Sequence, residues 1–517
     1  MAPGGRWLWL PPAAFLAGLL VAPLLRLLVE GGASSAADWA WWQDPHLRWR
    51  MAWSVLQALA TCALVLGLGL PVAWVLARVD FAGRRWVLRV LMLPFVVPTL
   101  VAAMGVLALL GPRGWLGQAG WNLEDTPWLL LYGNLFFNLC VLVRGAVEAL
   151  ERVSAQRLAA ARTLGATPWR AFWRIEWPAI APAVASALCL VFLYCFAGFG
   201  LALVLGGQRY ATVEVEIYTL VAHELQLAPA GVLAVWTLAL MSAVALLHAG
   251  VARHLATPER ADRVPRQPAR RAALRLAVGG ALAVLALASA APLLALWARA
   301  LAAGPAAWAV WTEPETLAAL GNTLRFAGAA LLLATALGLL HAFGARGLLL
   351  WRATAYLPLV VSPVTVAFGL LLLYPGWTAS LALLVSAYAL LAYPFVAQAL
   401  NGALDSQPAH LLQAARSLGA TPWRGFVRVT LPLVAPALRR GMGFAAATML
   451  GEFAVTLFLS RPEWTTLTTL IYQRLGRPGA ANLDAALVLA CGLMALALLV
   501  FVCLEPRDPT EAPPDHA

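Results

Sequence analysis

The chain of 517 residues is 62% hydrophobic and 12% charged, with a mean hydropathy of +0.79. No soluble domain of this length could bury so much apolar surface, so the composition predicts a protein that lies mostly in lipid. All 36 basic residues are arginines, and they lie in short segments between apolar runs, which indicates membrane topology rather than nucleic-acid binding. The six cysteines form no CxxC pair, so neither a disulfide framework nor a metal site is predicted.

Twelve segments are long and apolar enough to cross a bilayer, whose hydrocarbon core of about 30 Å needs roughly 20 helical residues. They are 8–29, 52–77, 89–110, 128–147, 179–206, 230–253, 273–297, 320–343, 353–374, 378–400, 433–459 and 484–504. The first contains Pro11 and Pro12 and is followed by no clear cleavage site, so we expect a retained span rather than a signal peptide.

The arginines are divided unevenly between the two sides of these spans. Loops 78–89, 152–174, 253–275, 346–352 and 416–440 contain 23 arginines, whereas the loops on the other side contain eight. The positive-inside rule therefore predicts that the arginine-rich loops and both termini are cytoplasmic.

One hydrophilic segment occurs twice. AARTLGATPWRAF at 160–172 recurs as AARSLGATPWRGF at 414–426, an offset of 254 residues, with 11 of 13 positions identical. Further matches are Pro178 with Pro432, Phe199 with Phe453 and Tyr218 with Tyr472 at that offset, and Gly105 with Gly369 at an offset of 264. A duplication retained only for packing would preserve the spans better than a loop, and here a loop is preserved best.

The repeat predicts a six-span unit that is duplicated and fused. The halves are expected at 1–256 and 273–505, joined by a cytoplasmic linker at 257–272 that is rich in proline and arginine. A cytoplasmic tail is expected at 506–517.

The doubled loop has the local signals of two short helices joined by a tight turn. Residues 159–164 favour a helix, Gly165 suits a left-handed C-terminal turn, and Thr167 and Pro168 suit the start of the next helix. Aromatic residues and arginines at 169–174 give that helix an apolar and a basic face. Such a knob suits a groove on another protein. A helix lying on anionic lipid headgroups would explain the tryptophans and arginines, but not the glycine turn or the repetition.

Both copies resemble the cytoplasmic EAA loop of ABC-transporter permeases, whose pattern is Glu-Ala-Ala, three residues, Gly, nine residues, Ile-x-Leu-Pro. The first copy has Ala-Ala-Ala, Gly165, Ile175, Trp177 and Pro178, and the second has Gln-Ala-Ala, Gly419, Val429, Leu431 and Pro432. Both depart at the glutamate, which is Ala159 in one copy and Gln413 in the other.

The resemblance implies an all-α polytopic membrane protein of about twelve transmembrane helices in two tandem six-helix halves, like the permeases of type I ABC importers. The EAA-like loops then span 152–178 and 405–432 and dock into two grooves of a separate ATPase homodimer on the cytoplasmic side. The residues expected to couple the two proteins are Arg162, Leu164, Gly165, Pro168, Trp169 and Arg170 in the first loop, and Arg416, Leu418, Gly419, Pro422, Trp423 and Arg424 in the second.

The resemblance also implies a periplasmic substrate-binding protein as partner and the bacterial inner membrane as location. A Walker A loop needs a lysine to hold nucleotide phosphates, and this chain contains no lysine, so ATP is expected to be used by the partner ATPase. No catalytic residue, bound cofactor, metal or nucleic-acid partner is expected for this chain.

Over almost the whole length, the order of features is similar to the fused two-half permeases of the thiamine and ferric-iron importers. GPRGWL from Gly111, FFN from Phe136, CFAGFGLALVLGG from Cys195 and ATVEVEIY from Ala211 look most like the permease for thiamine and thiamine pyrophosphate. Thiamine or its phosphates are therefore the expected substrate, with ferric iron as the alternative. A thiamine-type cation suits aromatic faces, whereas ferric iron prefers several hard oxygen ligands.

Six residues are predicted to lie along a substrate path or gate: Phe199, Glu214, Tyr218, Glu452, Phe453 and Tyr472. Glu452 either contacts a cationic substrate or makes a structural hydrogen bond near the interface of the halves, and we favour the hydrogen bond. Glu214 and Glu216 either meet a cation or a binding protein, or they are solvated loop charges.

Two other classes of protein fit the sequence less well. A secondary carrier of the major facilitator type would explain twelve spans, but the second half lacks its acidic loop signature, and Glu452 is the one clear candidate for an intramembrane coupling charge. An intramembrane metalloprotease is suggested by His223-Glu224, but Leu227 occupies the position of its second histidine.

Overall fold

The computed structural model describes residues 7–32, 39–252, 264–344, 349–378, 380–407, 409–459 and 461–504. The tail predicted at 506–517 and residues 257–263 of the linker predicted at 257–272 lie outside these residues. The chain forms two compact units: the first unit consists of Glu30–Ala307, and the second unit consists of Met1–Val29 with Trp308–Ala517.

The first unit is helical, with one short pair of strands. Its helices are α2 (Pro45–Arg78), α3 (Arg84–Val96), α4 (Thr99–Leu110), α5 (Pro127–Glu151), α6 (Ala155–Thr163), α7 (Pro168–Phe196), α8 (Phe199–Leu205), α9 (Val213–Ala222), α10 (Leu227–Ala252) and α11 (Ala272–Ala302). Strand β1 (Val79–Asp80) pairs in parallel with β2 (Gln267–Pro268), which lies in the linker.

The second unit repeats this order of helices. It contains α1 (Leu10–Gly32) up to Val29, then α12 (Pro314–Gly344), α13 (Leu349–Thr354), a turn of helix at Leu357–Val360, α14 (Pro363–Leu373), α15 (Leu381–Asp405) and α16 (Ala409–Ser417). It continues with a turn of helix at Pro422–Gly425 and a π-turn at Phe426–Thr430, which lead into α17 (Leu431–Leu450). The last helices are α18 (Ala454–Leu459), α19 (Leu467–Gly476) and α20 (Ala480–Leu504).

The described residues confirm an all-α membrane protein built from a repeat. Nine of their helices are long and apolar enough to cross a bilayer, or ten when the bent pair α3 and α4 is taken as one span. The other two predicted spans, 353–374 and 433–459, are also helical, but they are divided into shorter pieces.

Four predicted spans are interrupted rather than continuous, at corresponding places in the two units. The span predicted at 89–110 bends by 105° between α3 and α4, where Pro98 precedes the first turn of α4. The span predicted at 353–374 breaks before Pro363, and Ser362 caps the following helix. The spans predicted at 179–206 and 433–459 break at 197–198 and 451–453. Proline, glycine and helix-capping side chains therefore override the apolar continuity of the sequence.

The first helix of each sequence half packs in the other unit. Helix α1 belongs to the second unit, where the Tyr374 hydroxyl donates to the Gly18 carbonyl at 2.9 Å. Helix α11 belongs to the first unit, where the Tyr132 hydroxyl donates to the Leu287 carbonyl at 2.5 Å. The two compact units therefore differ from the halves predicted at 1–256 and 273–505, because each unit contains the first helix of the other predicted half.

Two glycines related by the repeat allow these exchanged helices to approach closely. A Cβ atom on Gly105 of α4 would lie 2.8 Å from the carbonyl oxygen of Pro292 in α11. A Cβ atom on Gly369 of α14 would lie 3.0 Å from the carbonyl oxygen of Pro23 in α1. Small residues commonly mark such close contacts between membrane helices. The match of these two glycines in the sequence therefore reflects the same helix contact in each unit.

We predict that Gly105→Ala destabilises the protein, because the backbone of α11 must move away from the new methyl group. Overpacking of this kind costs about 1–3 kcal/mol. Gly328→Ala is the matched control, because it also adds a methyl group to a glycine within a helix, and there the methyl group meets nothing within 4 Å. Thermal unfolding of the purified proteins measures both effects. An unfolding temperature of Gly105→Ala equal to that of Gly328→Ala would contradict the close contact.

Candidate functional site

The first EAA-like loop (152–178) forms two helices joined by a glycine turn, as predicted. The Ser154 hydroxyl caps α6 by accepting a bond from the Arg157 N–H at 3.5 Å. Gly165 has φ +78°, and its N–H donates to the Arg162 carbonyl at 3.0 Å, while the Ala166 N–H donates to the Ala161 carbonyl at 3.0 Å. These two bonds are those of a Schellman turn, which needs a left-handed residue and therefore favours glycine.

The second EAA-like loop (405–432) has the same geometry. Gly419 has φ +79°, its N–H donates to the Arg416 carbonyl at 3.0 Å, and the Ala420 N–H donates to the Ala415 carbonyl at 3.0 Å. The helix that follows begins identically in the two loops, because the hydroxyls of Thr167 and Thr421 each accept a backbone N–H at 3.3 Å. The identity of the two sequences therefore extends to their backbone conformation.

The apolar residues at the tips of both loops are exposed. Leu164 and Leu418 are 87% and 89% exposed, and Trp169 and Trp423 are 70% and 71% exposed. The other predicted coupling residues that can be described are exposed as well (Arg162, Gly165, Pro168, Arg170, Arg416, Gly419 and Arg424), whereas the side chain of Pro422 lies outside the description. Exposed apolar side chains grouped on one knob are typical of a surface that another protein covers.

An ion pair stands at the start of each loop, and the repeat relates its two acidic residues, Glu151 and Asp405. Glu151, the last residue of α5, accepts from the Arg84 guanidinium at 2.7 Å, and Asp405, the last residue of α15, accepts from Arg352 at 2.5 Å. The hydrogen bond to Asp405 raises the pKa of the Arg352 guanidinium. The first pair joins α5 to the start of α3, and the second joins α15 to α13.

The end of the first loop is fixed by a buried ion pair. Nη2 of Arg78, at the end of α2, lies 2.6 Å from Oε1 of Glu176 in the π-turn of α7, and Nε of Arg78 donates to the same oxygen at 2.9 Å. The two side chains are 7% and 5% exposed. The repeat places Thr430, which is also buried, at the position of Glu176 in the second loop. The two loops thus have the same conformation at their tips, but the first ends at a buried ion pair and the second at a buried threonine.

The predicted path residues form one aromatic pair in each unit. Phe199 begins α8 after the break at 197–198, and its ring lies 5.4 Å from that of Tyr218 in α9, edge to face. Phe453 is the last residue of the corresponding break, and its ring lies 5.2 Å from that of Tyr472 in α19. Each pair therefore joins the residue next to a helix break to the short helix that follows. Their role in a substrate path remains a prediction.

Glu452 caps a helix, in keeping with the structural role that we favoured. Its Oε1 accepts the Val455 N–H at 2.9 Å at the start of α18, and its backbone carbonyl accepts from the Thr468 hydroxyl at 3.0 Å. The residue is 9% exposed. The carboxylate therefore accepts a hydrogen bond from a backbone N–H that the break leaves without a helical partner.

Glu214 and Glu216 lie in the first turn of α9 and are buried, so the interpretation of them as solvated loop charges is wrong. Glu214 has no exposed surface. Oε2 of Glu216 accepts from the Arg50 Nε at 3.0 Å, and its Oε1 lies 3.1 Å from Nε2 of His46. Their position at a helix N-terminus favours negative charge, and Arg50 neutralises Glu216.

The residues that anchor the two loops were not predicted from the sequence; they are Arg78, Arg84, Glu151, Glu176, Arg352 and Asp405. A signal was available for some of them, because Glu151 and Asp405 differ by the same offset of 254 residues as the loops. Few residues of this chain are charged, so charged residues next to its best-preserved repeat are natural candidates for ion pairs. Among the described residues, no group of three or more His, Cys, Asp or Glu side chains is placed to hold a metal ion.

Comparisons with known proteins agree with this architecture. Residues 69–257 and 334–504 match the family model described as binding-protein-dependent transport system inner membrane component. The chain is 27% identical to a thiamine transport system permease protein of Haemophilus influenzae over 94% of this chain and 96% of that protein. It is 27% identical to the Escherichia coli protein of the same name over 96% of each chain. It is 30% identical to the Brucella abortus protein over 94% of this chain and 93% of that protein.

We predict that Glu176→Gln destabilises the protein strongly, because it leaves the Arg78 guanidinium buried without its counter-charge. Breaking a buried pair in this way costs about 3–5 kcal/mol. Glu148→Gln is the matched control, because Glu148 pairs with Arg144 at 2.6 Å on an exposed face, where an ion pair contributes about 0–1 kcal/mol. Thermal unfolding in detergent compares the two variants.

The double variant Arg78→Leu/Glu176→Leu tests the reason for this effect. Because it removes both buried charges, it should be more stable than Glu176→Gln. If Glu176→Gln unfolds at the same temperature as Glu148→Gln, the buried pair does not anchor the loop.

Proposed function

Because the chain belongs to the family of binding-protein-dependent transport system inner membrane components, the permeases of ABC importers, we propose that it forms the membrane pathway of an importer for thiamine or its phosphates. In this proposal two cytoplasmic EAA-like loops couple the pathway to a separate ATPase homodimer, and a periplasmic substrate-binding protein delivers the substrate. The coupling proposal rests on one observation: the two loops have the same backbone conformation and expose the same residues at their tips.

The matched tips of the loops support a symmetric partner. Two identical ATPase subunits offer two identical grooves, and a single chain can fill both only if it presents the same surface twice. Gly165 and Gly419 differ by 1° in φ, and the exposed fractions of the tip leucines and tryptophans agree within 2%. Packing within each unit would not require this agreement, because the bases of the loops differ at Glu176 and Thr430.

The helix after the first loop supports a mechanical role for it. Helix α7 runs for 29 residues from Pro168 beside the tip to Phe196 at the break, about 44 Å at 1.5 Å per residue. A displacement of Trp169 by the ATPase would therefore move the end of α7 and, with it, the aromatic pair at Phe199 and Tyr218. Closure of the ATPase dimer on ATP would tilt each unit and alternate access to the pathway.

The proposed substrate rests on the relatives and on the chemistry of the aromatic pairs. Curated relatives that match nearly the whole chain are thiamine transport system permease proteins. Thiamine carries a quaternary aromatic cation, which aromatic faces attract. Ferric iron would instead prefer several hard oxygen ligands.

We predict that the double variant Gly165→Val/Gly419→Val inserts into the membrane but loses ATP-driven uptake. At φ near +78° a branched side chain is strained, so the turns should change conformation and displace the exposed tips. Gly304→Val is the matched control, because Gly304 also has φ +78° with open space around it but lies outside both loops. Uptake and co-purification with the ATPase measure the effect. Normal uptake by the double variant would contradict coupling through these loops.

We predict that a strain lacking this protein loses uptake of labelled thiamine at low external concentration and retains uptake of ferric iron. Complementation with the wild-type chain should restore thiamine uptake, and complementation with Gly304→Val should do so too. The loss of iron uptake with intact thiamine uptake would reverse the substrate assignment in favour of ferric iron, without bearing on the coupling proposal.

A further inference from the structure

A polar cavity of about 690 Å³ lies in the first unit, between the turn that precedes α3 and the linker segment next to β2. Its lining includes the charged residues Asp80, Arg84, Arg85, Glu151 and Arg266, together with the aromatic residue Trp86. None of these residues belongs to the pairs that we assign to substrate passage. The cavity is therefore separate from the residues proposed for substrate passage.

Backbone pairing and an ion-pair cluster hold the two walls of the cavity together. Strand β1 pairs with β2, and beyond the ladder the Ala269 N–H donates to the Asp80 carbonyl at 3.2 Å. Arg266 in the linker reaches Oε1 of Glu151 at 2.9 Å, the same oxygen that Arg84 reaches at 2.7 Å. The cavity is thus bounded by fixed elements.

The lining carries an excess of positive charge. Three guanidinium groups (Arg84, Arg85 and Arg266) face two carboxylates, and both Arg84 and Arg266 share the single carboxylate of Glu151. Arg84 is buried and also donates to the Leu76 carbonyl at 2.6 Å, whereas Arg85 is exposed. Planar, multiply donating guanidinium groups around a cavity suit a phosphate, which accepts several such bonds at once.

The helix beside the cavity has the character of a segment at the membrane surface. Helix α3 meets the apolar helix α4 at 105°, so when α4 crosses the bilayer, α3 lies close to the plane of the membrane. Its exposed face combines Arg85 and Arg89 with Trp86 and Val90, which are 67% and 53% exposed. The Arg89 guanidinium lies 5.3 Å from the Trp86 ring centroid. Basic and aromatic residues on one face of such a helix are typical of contact with anionic lipid.

We propose that this cavity binds the phosphate of an anionic phospholipid headgroup, with Arg85 and Arg266 as its ligands and Trp86 at the level of the acyl-chain boundary. A soluble phosphate would satisfy the arginines, but it would leave the exposed apolar surface of Trp86 and Val90 without a partner. A phospholipid satisfies both. Because the linker segment next to β2 forms one wall, the bound lipid joins this segment to the start of α3 at the cytoplasmic surface of the membrane.

The test uses the full chain, purified in an uncharged detergent, with short-chain phospholipids that dissolve in water. Dihexanoyl phosphatidylglycerol should raise the unfolding temperature in a concentration-dependent way, because a ligand that binds the folded state stabilises it. Dihexanoyl phosphatidylcholine and glycerol phosphate should have little effect at the same concentrations. Arg85→Gln should raise the apparent Kd for phosphatidylglycerol about fivefold, the factor expected for one arginine near an anionic surface.

Arg144→Gln is the matched control, because Arg144 is an exposed arginine of the same unit and lies outside the cavity lining. This variant should bind like the wild type, which separates a local site from the effect of net charge. Arg85 is exposed, so its variant is expected to fold, and its unfolding temperature without lipid verifies this. Equal weakening in Arg85→Gln and Arg144→Gln, or no weakening in either, would overturn the site. Equal stabilisation by glycerol phosphate and by the phospholipid would overturn the lipid as its occupant.

Discussion

Hydrocarbon offers no hydrogen-bond partners, so a helix can be interrupted inside a bilayer only where the protein supplies them. This constraint governs the breaks on which the rest of the fold depends. At the break after Phe196, the Gln57 side chain donates to the Cys195 carbonyl at 2.9 Å, and Asn134 donates to Gln57 at 2.7 Å. At the break after Leu450, Glu452 accepts the Val455 N–H. Buried polar side chains in the spans therefore replace the helix bonds that the breaks remove.

The two units meet this constraint with different side chains at equivalent places. The N–H of Val213, at the start of α9, donates to the Ser54 hydroxyl at 2.7 Å, and the N–H of Leu467, at the start of α19, donates to the Thr323 hydroxyl at 2.9 Å. The breaks themselves differ more, because a glutamine from α2 acts in one unit and Glu452 acts in the other. The two units share their backbone geometry at these places, but the side chains that stabilise it differ. The buried carboxylate of Glu452 at the break in the second unit is thus understandable without assigning it to a substrate.

The fold class, the twelve apolar segments and the glycine turns of both loops could be predicted from the sequence, because each depends on local chemistry. Hydrophobic length defines a span, and a glycine between a helix former and a Thr-Pro pair defines a turn. The exchange of α1 and α11 could not be predicted, since nothing in an apolar helix specifies the unit in which it packs. The burial of Glu214 and Glu216 was missed for a related reason. Two carboxylates between apolar segments are typical of a loop, and the contacts of Glu216 with Arg50 and His46 cannot be inferred from the local sequence. The pairing of Arg78 with Glu176 joins residues 98 positions apart and has no local signature.

The contrast between the tips and the bases of the loops indicates which part of each loop faces outward in function. Pairing within a unit can be achieved in several ways, and the chain uses a buried Arg78–Glu176 pair in one unit and a buried threonine, Thr430, at the same position in the other. A surface that must fit two identical partners has no such freedom. The tips keep their sequence, their left-handed glycine and their exposed leucine and tryptophan in both copies, although none of these features is needed to close a core. Identity at the exposed end together with divergence at the buried end is the pattern expected when the partner, rather than the fold, sets the constraint.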